Sequence, residues 1–327
     1  MAATMANSTP EREFQALADP YRRELLAHCY RMLGSIHDAE DLVQETYLRA
    51  WRSYGGFEGR SSLRTWLYRI ATNACLTAID QRGRRPMPSG LGAPSEEPER
   101  PVVASPEVPW LEPVPDAVLG ADAADPAAIV AARESTRLAL IAALQHLPAR
   151  QRVVLLLRDV LKWRAAEVAE LLDTSTAAVN SALQRARAQL EEHAPAADEL
   201  AEPTDPAQRE LLERYAKAFE DADITGLIDL FKKDVVWEMP PFPEWFTGAD
   251  AVVRLIRAQC APGPGDIRMV PSAANGQPAF GLYKRDENGV HRAFHLQVLG
   301  VTGEGVAHVA AFFDTSLFPR FGLAERL

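Results

Sequence analysis

The sequence predicts a multidomain protein in which two all-α modules precede a C-terminal α+β module. Three observations support this class. The chain has 327 residues, more than one domain usually holds. Apolar residues recur at helical spacing through the first 195 residues, apart from one stretch rich in proline and acid. After about residue 205, helical segments give way to short strand-like segments with turn residues between them.

Composition excludes several classes of protein. With 24% charged and 47% hydrophobic residues, the chain matches soluble globular proteins rather than disordered ones. No apolar run reaches the roughly 18 residues of a membrane helix, and the N-terminus lacks a secretory signal. Cys29, Cys75 and Cys260 are too far apart for a metal motif. We therefore expect a cytoplasmic protein with no membrane contact, structural metal or cofactor.

The net charge of −10 is unevenly distributed. Residues 1–85 and 133–195 each carry a net +2, whereas residues 86–132 and 196–327 each carry −7. Mildly basic modules thus alternate with acidic ones, and this asymmetry is more informative than the total. The acidic segments could compete with DNA phosphates for the basic modules.

The first helical module contains an amphipathic helix around residues 39–51. Its apolar positions fall at offsets 0, 3, 4, 8, 11 and 12, and Ser35 or Asp38 can cap its start. The opposite face is polar and includes Asp41, Gln44 and Glu45. Taken alone, such a face is usually only solvated.

A second helix follows a glycine-rich bend, with Ser61 or Ser62 as its cap. It places aromatic residues among arginines, a pattern suited to stacking on unpaired bases while cations hold the backbone. Trp and Tyr in a short helix are, however, more often core residues. The polar and aromatic candidates on this helix are Trp66, Arg69 and Asn73.

Residues 86–132 are rich in Pro, Gly, Ala and acid, so they are predicted to form a linker. Trp110 and Leu111, in the segment WLEPVPD, are exceptions to this composition. Either they are chance apolar residues in a coil or they dock on another part of the protein. We favour docking, because exposed tryptophans in a flexible chain usually have a binding surface.

Residues 133–192 are predicted to be helical and to include a helix–turn–helix with DTST as its turn. Ser175 or Thr176 would cap the second helix of this motif. Its outer face carries short polar groups and arginines, which can contact base edges and phosphates. An ordinary αα corner is the alternative, and the turn lacks the frequent glycine. The candidate residues on this face are Thr176, Asn180, Ser181, Gln184, Arg185 and Arg187.

The C-terminal module is predicted to begin with helices at about 205–222, 224–233 and 248–260. Four strands should follow, with hairpin turns at 286–289 and 302–305. His291, His295 and Gln297 share strand parity and could point the same way. Aromatic and polar residues of this module line a candidate cavity, or else form its core: Trp237, Met239, Trp245, Phe280, His295 and Gln297.

Two long motifs in the first 195 residues resemble regions of one known protein family. DAEDLVQETYLRAW, with GRSSLRTWLYRIATNACL, resembles region 2 of bacterial RNA polymerase sigma factors of the extracytoplasmic-function (ECF) group. LQHLPARQRVVLLLRDVLKWRAAEVAELLDTSTAAVNSALQRARAQL resembles region 4 of the same group. The C-terminal module resembles SnoaL-like domains, which are α+β cones with a curved antiparallel sheet. The combination resembles actinobacterial sigma factors with a fused SnoaL-like extension.

This resemblance implies roles for the candidates. Asp41, Gln44 and Glu45 match the face that docks on the β′ clamp helices of polymerase, and region 4 would contact the β flap. The candidates at 66, 69 and 73 match the part of region 2 that opens the −10 element. Those between Thr176 and Arg187 match the −35 recognition helix, although this helix is less basic than in much of the group. Weak DNA binding without polymerase is therefore expected.

We divide the chain into region 2 (11–85), the linker (86–132), region 4 (133–195) and the SnoaL-like domain (205–327). The expected function is promoter-specific transcription initiation, regulated in cis through a contact of the C-terminal module with the sigma modules. The alternatives are a ligand-sensing transcription factor that binds a small molecule and, with less support, an isomerase or cyclase using a His/Asp pair. We expect no enzymatic activity, because no catalytic pattern is present.

Overall fold

The computed structural model describes residues 10–119, 134–193, 206–260 and 263–327. The chain divides into two compact units. The first comprises residues 1–84, 117–136 and 143–193, and the second comprises 85–116, 137–142 and 194–327. Most of the linker therefore groups with the C-terminal module rather than forming a separate segment.

The first unit is helical. Its N-terminal helices are α1 (Pro10–Ala18), α2 (Arg22–Leu33), α3 (Ile36–Ser53) and α4 (Leu63–Arg82), and the short helix α5 (Asp116–Leu119) lies within the linker. The later helices are α6 (Leu138–Gln145), α7 (Ala149–Leu155), α8 (Ala165–Leu171) and α9 (Thr176–His193). A π-helical turn, Leu156–Val160, extends α7. Helix α6 begins in the second unit and ends in the first.

Serine caps fix where these helices start. The backbone N–H of Asp38 donates to Ser35 Oγ at 3.1 Å, and the N–H of Thr65 donates to Ser62 Oγ at 3.1 Å. Ser175 Oγ caps α9 in the same way, accepting from the N–H of Ala178. Each serine was one of two predicted caps, and it satisfies a helix N–H that has no partner within the helix.

The second unit contains helices α10 (Pro206–Glu220), α11 (Ile224–Leu230) and α12 (Ala249–Cys260). Its strands are β1 (Phe231–Glu238), β2 (Trp245–Thr247), β3 (Ile267–Ala274), β4 (Gln277–Arg285), β5 (His291–Thr302) and β6 (Gly305–Phe312). They form one sheet in the order β2-β1-β6-β5-β4-β3. The four predicted strands are confirmed as β3 to β6.

Two features of the sheet differ from the prediction. The chain turns from helix to strand at Phe231, whereas the helix was predicted to continue to residue 233. Strand β1 then pairs in parallel with β6, so the sheet is mixed rather than purely antiparallel. A parallel partner so distant in sequence leaves no local turn signal, which explains why the pattern did not reveal it.

The sheet has two buried faces. One face packs with α10, α11 and α12 around an apolar core that includes Tyr215, Trp237, Phe246, Phe280 and Leu299. The other face carries the C-terminal tail, in which Phe318 packs edge-on against Tyr283 at 5.3 Å between ring centroids. The tail lies so close to Gly281 that a Cβ there would be 2.6 Å from Leu323. The apolar tail is therefore part of the module.

Candidate functional site

Helix α3 presents a polar face with one apolar side chain in it. Its inward face buries Ala39, Val43, Thr46 and Ala50, and the opposite face of the helix points outward. Asp41 and Gln44 are exposed, and Glu45 is half-exposed and paired with Arg49 at 2.6 Å. Leu48, one turn beyond Gln44, is 56% exposed. A polar face around an exposed leucine suits docking of another protein.

Helix α4 carries the three candidates of the second helix on one side, at spacings of three and four residues. Trp66 is half-buried against Phe57, with ring centroids 4.8 Å apart. Arg69 and Asn73 are exposed, and Arg69 Nη2 donates to the carbonyl of Glu170 at 3.3 Å. This side of α4 thus combines an aromatic, a cation and an amide.

Helix α9 forms the second part of a helix–turn–helix. Val179, Leu183 and Ala186 are buried and hold α9 against the preceding helices. Asp173 takes the left-handed conformation in the turn, with φ of 50°, in place of the frequent glycine. The opposite face is continuous and polar. Six candidate residues on it are all exposed: Thr176, Asn180, Ser181, Gln184, Arg185 and Arg187.

Two buried arginines hold the first unit together. Arg152, only 1% exposed, donates to the carbonyl of Met32, to Gln145 Oε1 at 2.8 Å and to the carbonyl of Leu147. Arg31 donates to the carbonyl and the hydroxyl of Ser135 at 3.1 and 2.7 Å. Burial lowers the pKa of each guanidinium to about 10. Sequence reasoning missed both residues, because their main acceptors are backbone carbonyls without a sequence signature.

The linker segment WLEPVPD is built into the second unit. Trp110 is 8% exposed and Leu111 is fully buried. Trp110 Nε1 donates to the carbonyl of Ser105 at 3.0 Å, and the N–H of Leu111 donates to the carbonyl of Pro86 at 3.1 Å. Further along, the N–H of Val114 donates to Asn275 Oδ1 at 2.9 Å. The end of this segment is therefore bonded to the β3–β4 turn.

Other linker residues bond to the strands at the opposite end of the sheet. The N–H of Ser95 donates to the carbonyl of Trp245 at 2.7 Å, and Trp245 Nε1 donates to the carbonyl of Gly92 at 2.9 Å. Trp245 pairs with Glu238, whereas Phe246 pairs with Trp237. Paired residues share a face of the sheet, and Trp237 is in the apolar core. Trp245 therefore lies on the face of the sheet that points away from this core. Its assignment to the candidate cavity is wrong, and Phe246 takes that place.

A buried carboxylate also faces the linker. Glu238 Oε1 accepts from the N–H of Ser89 at 2.7 Å, and Glu238 Oε2 lies 2.8 Å from His308 Nε2. Burial alone would raise the pKa of this carboxyl group. The hydrogen bonds from His308 and Ser89 outweigh burial and lower the pKa below its ordinary value.

The core of the second unit contains a buried polar group of three residues. The Tyr215 hydroxyl donates to Gln297 Oε1 at 3.0 Å, and Gln297 Nε2 lies 2.9 Å from His295 Nε2. Burial lowers the pKa of His295 to about 3, so this imidazole is neutral at pH 7. Its Nε2 then accepts from Gln297 and its proton lies on Nδ1. Neither Nδ1 of His295 nor Nε1 of Trp237 has a hydrogen-bond partner among the described residues.

The remaining cavity candidates are placed as follows. Met239 and Phe280 are buried in the same apolar core as Trp237. His291 is not on their face, because a register shift around Phe294 separates the pairs Arg285–His291 and Leu282–His295. The expectation that His291, His295 and Gln297 point the same way is wrong for this reason.

Two other residues of this module that could serve in a His/Asp pair, His291 and Asp314, form hydrogen bonds away from His295. His291 Nε2 lies 3.0 Å from the carbonyl of Gly265. Asp314 accepts from the N–H and hydroxyl of Ser316 at 3.0 and 2.7 Å, at the start of the tail. The structure thus does not bring a His/Asp pair together around His295.

The described segments contain neither a candidate metal site nor a candidate membrane span. No group of three or more His, Cys, Asp or Glu side chains there could hold a metal ion. No helix in those segments is long and apolar enough to cross a membrane.

Family models match three parts of the chain. Sigma-70 region 2 matches residues 17–85, and a sigma-70 region 4 model matches residues 137–190. A SnoaL-like domain model matches residues 212–314. The exposed faces of α3 and α4 belong to the first match, and that of α9 belongs to the second.

Curated relatives agree with these matches. ECF RNA polymerase sigma factor SigG of Mycobacterium tuberculosis (strain H37Rv) is 58% identical over 317 residues, which cover 96% of this chain and 85% of SigG. ECF RNA polymerase sigma factor SigJ of the same strain is 33% identical over 252 residues, covering 75% of this chain and 71% of SigJ.

A solved structure extends the likeness to the fold. The crystal structure of the M. tuberculosis extracytoplasmic function sigma factor SigJ has a TM-score of 0.62 and 26% sequence identity. The match covers 95% of this chain and 99% of that chain. Together with the three family models and the exposed helical faces, these similarities show that the chain belongs to the ECF RNA polymerase sigma factors that carry a C-terminal SnoaL-like domain.

Proposed function

We propose that this chain binds RNA polymerase core and directs it to promoters through regions 2 and 4. The observation that carries this proposal is the exposure of three polar helical faces, each within a sigma-family match. The proposed boundaries are 11–85 for region 2, 86–132 for the linker, 133–195 for region 4 and 205–327 for the regulatory domain.

Region 2 is proposed to bind both protein and DNA. On α3, Asp41, Gln44 and Glu45 would dock on the β′ clamp helices, beside the exposed Leu48. On α4, Trp66 would stack on an unpaired base of the −10 element while Arg69 holds the backbone. Asn73 would add an amide that can bond to a base edge. This division fits their positions on two separate helices.

Region 4 is proposed to bind the −35 element and the β flap of polymerase. Asn180 and Arg185 are exposed on α9 and can form bidentate contacts with bases. Thr176, Ser181 and Gln184 would add shorter polar contacts, and Arg187 would contact phosphate. If a bidentate contact is lost, Asn180→Ala or Arg185→Ala should each cost about 1–3 kcal/mol in −35 recognition.

The decisive experiment is run-off transcription with core polymerase on a library of promoters. The full chain should select a defined set of −10 and −35 sequences. Combined replacement of Asp41, Gln44 and Glu45 by Ala should weaken core binding without unfolding region 2. Glu58→Ala is a matched control, since Glu58 is exposed and forms a local ion pair with Arg60. No promoter selection by a folded full chain would refute the proposal.

We further propose that the C-terminal domain regulates the sigma modules in cis. Its support is the linker, whose residues 89–114 bond repeatedly to the strands and turns of that domain. Trp110 and Leu111 would anchor this docking. A truncation after about residue 200, Trp110→Ala, and deletion after about residue 315 should each change transcription. Unchanged transcription by all three folded variants would make the linker only a spacer.

The geometry gives less support to enzymatic turnover. His291, His308 and Asp314 are each bonded at separate places, so an acid–base pair around His295 is missing from the described residues. We propose that this chain is a transcription regulator without catalysis. No product should form from small cyclic ketones, and formation of product would overturn this view.

Ligand sensing is the second candidate function. It is favoured by two buried N–H donors without described partners, those of His295 Nδ1 and Trp237 Nε1. Such donors would suit an apolar ligand with an acceptor oxygen. Ligand-dependent thermal stabilisation without product would support this candidate, and His295→Phe should abolish it.

A further inference from the structure

The turn between β3 and β4 makes more connections than a hairpin turn needs. Asn275 and Gly276 both have positive φ, 57° and 68°, and Ala274 pairs with Gln277 across the turn. This is the geometry of a two-residue hairpin of the Asn-Gly kind. We call residues 274–277 the clasp turn, because both its backbone and its side chains bond to other segments.

The clasp turn first binds the end of the linker segment WLEPVPD. The N–H of Asn275 donates to the carbonyl of Val114 at 3.0 Å, and Asn275 Oδ1 accepts from the N–H of Val114 at 2.9 Å. The N–H of Gly276 donates to Asp116 Oδ1 at 2.7 Å. Val114 and Asn275 are fully buried, so these bonds are shielded from water.

The clasp turn also holds the start of α6. Gln277 Oε1 accepts from the N–H of Leu138, the first residue of that helix, at 2.9 Å. Gln277 Nε2 donates to the carbonyl of Leu299 in β5 at 3.1 Å. Both Gln277 and Leu138 are buried. The sheet thus orients this amide group, and its oxygen faces the helix.

Gln277 Oε1 acts as an N-terminal cap of α6. The first N–H groups of a helix have no partner within it, and a nearby Ser, Thr, Asp or Asn usually accepts from one of them. Before α6, the hydroxyl of Ser135 accepts from Arg31 Nη2 at 2.7 Å. The acceptor for Leu138 comes from Gln277, 139 residues away.

We propose that Gln277 is a positioning residue through which the C-terminal domain caps the first helix of region 4. The other end of α6 carries Gln145, whose side chain and carbonyl accept from the buried Arg152 at 2.8 and 3.2 Å. A loosened start of α6 would therefore disturb the support of Arg152. Order in region 4 then depends on a glutamine of the regulatory domain, which gives cis regulation a physical route.

Hydrogen exchange on the full chain tests the cap directly. Gln277→Met keeps the volume but removes the acceptor, and we expect exchange at residues 138–141 to become at least tenfold faster. Gln277→Glu keeps an acceptor oxygen beside the helix start but loses the donor to the Leu299 carbonyl, so it should restore part of the protection. Gln208→Met is the matched control, a buried glutamine of α10 in the same unit, and it should leave α6 unchanged.

A second pair of variants covers the case in which Gln277→Met unfolds the sheet. Leu138→Pro removes the N–H that donates to Gln277, and proline is tolerated at the first position of a helix. Leu138→Ala shortens the side chain but keeps this N–H. Faster exchange in α6 for Leu138→Pro than for Leu138→Ala would support the cap. Equal exchange in this pair, or unchanged protection in a folded Gln277→Met chain, would overturn it.

The consequence for transcription rests on the proposed role of region 4. With polymerase present, Gln277→Met should weaken −35 binding several-fold, and Gln277→Glu should recover part of it. Loss of α6 protection with unchanged −35 binding would support the cap and would count against the role assigned to region 4. The two failures are therefore distinguishable.

Discussion

Arg187 donates two hydrogen bonds to the carboxylate of Asp159, from Nε at 2.9 Å and from Nη2 at 2.7 Å. Arg187 lies on the exposed face of α9, and Asp159 lies in the π-helical turn after α7. Both side chains are partly exposed, so solvent screens the pair and it contributes little to stability. The pair matters because the Asp159 carboxylate partly neutralises the Arg187 guanidinium on a face that is proposed to bind DNA.

Removal of the Asp159 charge should therefore strengthen DNA binding. With polymerase present, we expect Asp159→Asn to raise promoter affinity a few-fold, because Arg187 would be free to neutralise a phosphate. Arg187→Ala should weaken binding evenly across sequences and reduce the salt slope by about 1. Binding titrations over a range of salt concentrations measure both effects. Weaker binding by Asp159→Asn would instead show that the carboxylate orients Arg187.

Leu48 should contribute to polymerase binding without contributing to stability. Its side chain is exposed within the polar face of α3, so Leu48→Asp leaves the core of region 2 intact. We expect the affinity for core polymerase to fall at least tenfold. Leu17→Asp on α1 is the control, since Leu17 is 51% exposed and lies outside the proposed face. Equal losses for the two variants would argue against α3 as the docking surface.

Arg152 should be necessary for the stability of the first unit. Arg152→Met would remove the guanidinium donor from several buried carbonyl groups, at a cost of about 3 kcal/mol or more. Arg152→Lys should recover little, because an ammonium group cannot reproduce the guanidinium fork. Urea unfolding followed by a probe in the first unit gives these values. Wild-type stability in Arg152→Met would contradict the proposed role of these hydrogen bonds.

Two buried histidines should make both units sensitive to mild acid. Burial lowers the pKa of His28 and of His295 from 6.5 to about 3, with a smaller contribution at His28 from the charge of Arg31. Between these values the unfolded chain binds more protons than the folded chain, so stability falls as the pH falls below 6.5. Each histidine should cost about 1.4 kcal/mol per pH unit.

Unfolding midpoints at pH 7.5 and 5.5 measure this loss. His295→Asn should flatten the pH dependence of the second unit, and His28→Asn that of the first. Each substitution leaves the other unit as an internal control. A pH dependence that both variants retain in full would assign the acid sensitivity to other groups.

The sequence predicted those features that depend on neighbouring residues. Ser35, Ser62 and Ser175 each lie just before a periodic apolar pattern, and each caps its helix. Strands β3 to β6 followed from alternation and turn residues, since adjacent antiparallel strands leave local signals. The polar faces of α3, α4 and α9 followed from helical periodicity for the same reason.

The features that were missed depend on distant contacts. The pairing of β1 with β6 joins segments about 70 residues apart, and the register shift at Phe294 reverses the expected side of His291. Arg31 and Arg152 are of a residue type that is usually exposed. Gln277 became a candidate only when the structure placed its amide beside Leu138.

The position of β6 between β1 and β5 determines when the sheet can form during synthesis of the chain. Regions 2 and 4 leave the ribosome more than 100 residues before β6, and at 5–20 residues per second this interval is about 5–20 s. During that time β1 lacks its central partner and the sheet cannot close. Each newly synthesised molecule therefore has the residues of its helical first unit before the six-stranded sheet of its second unit can be completed.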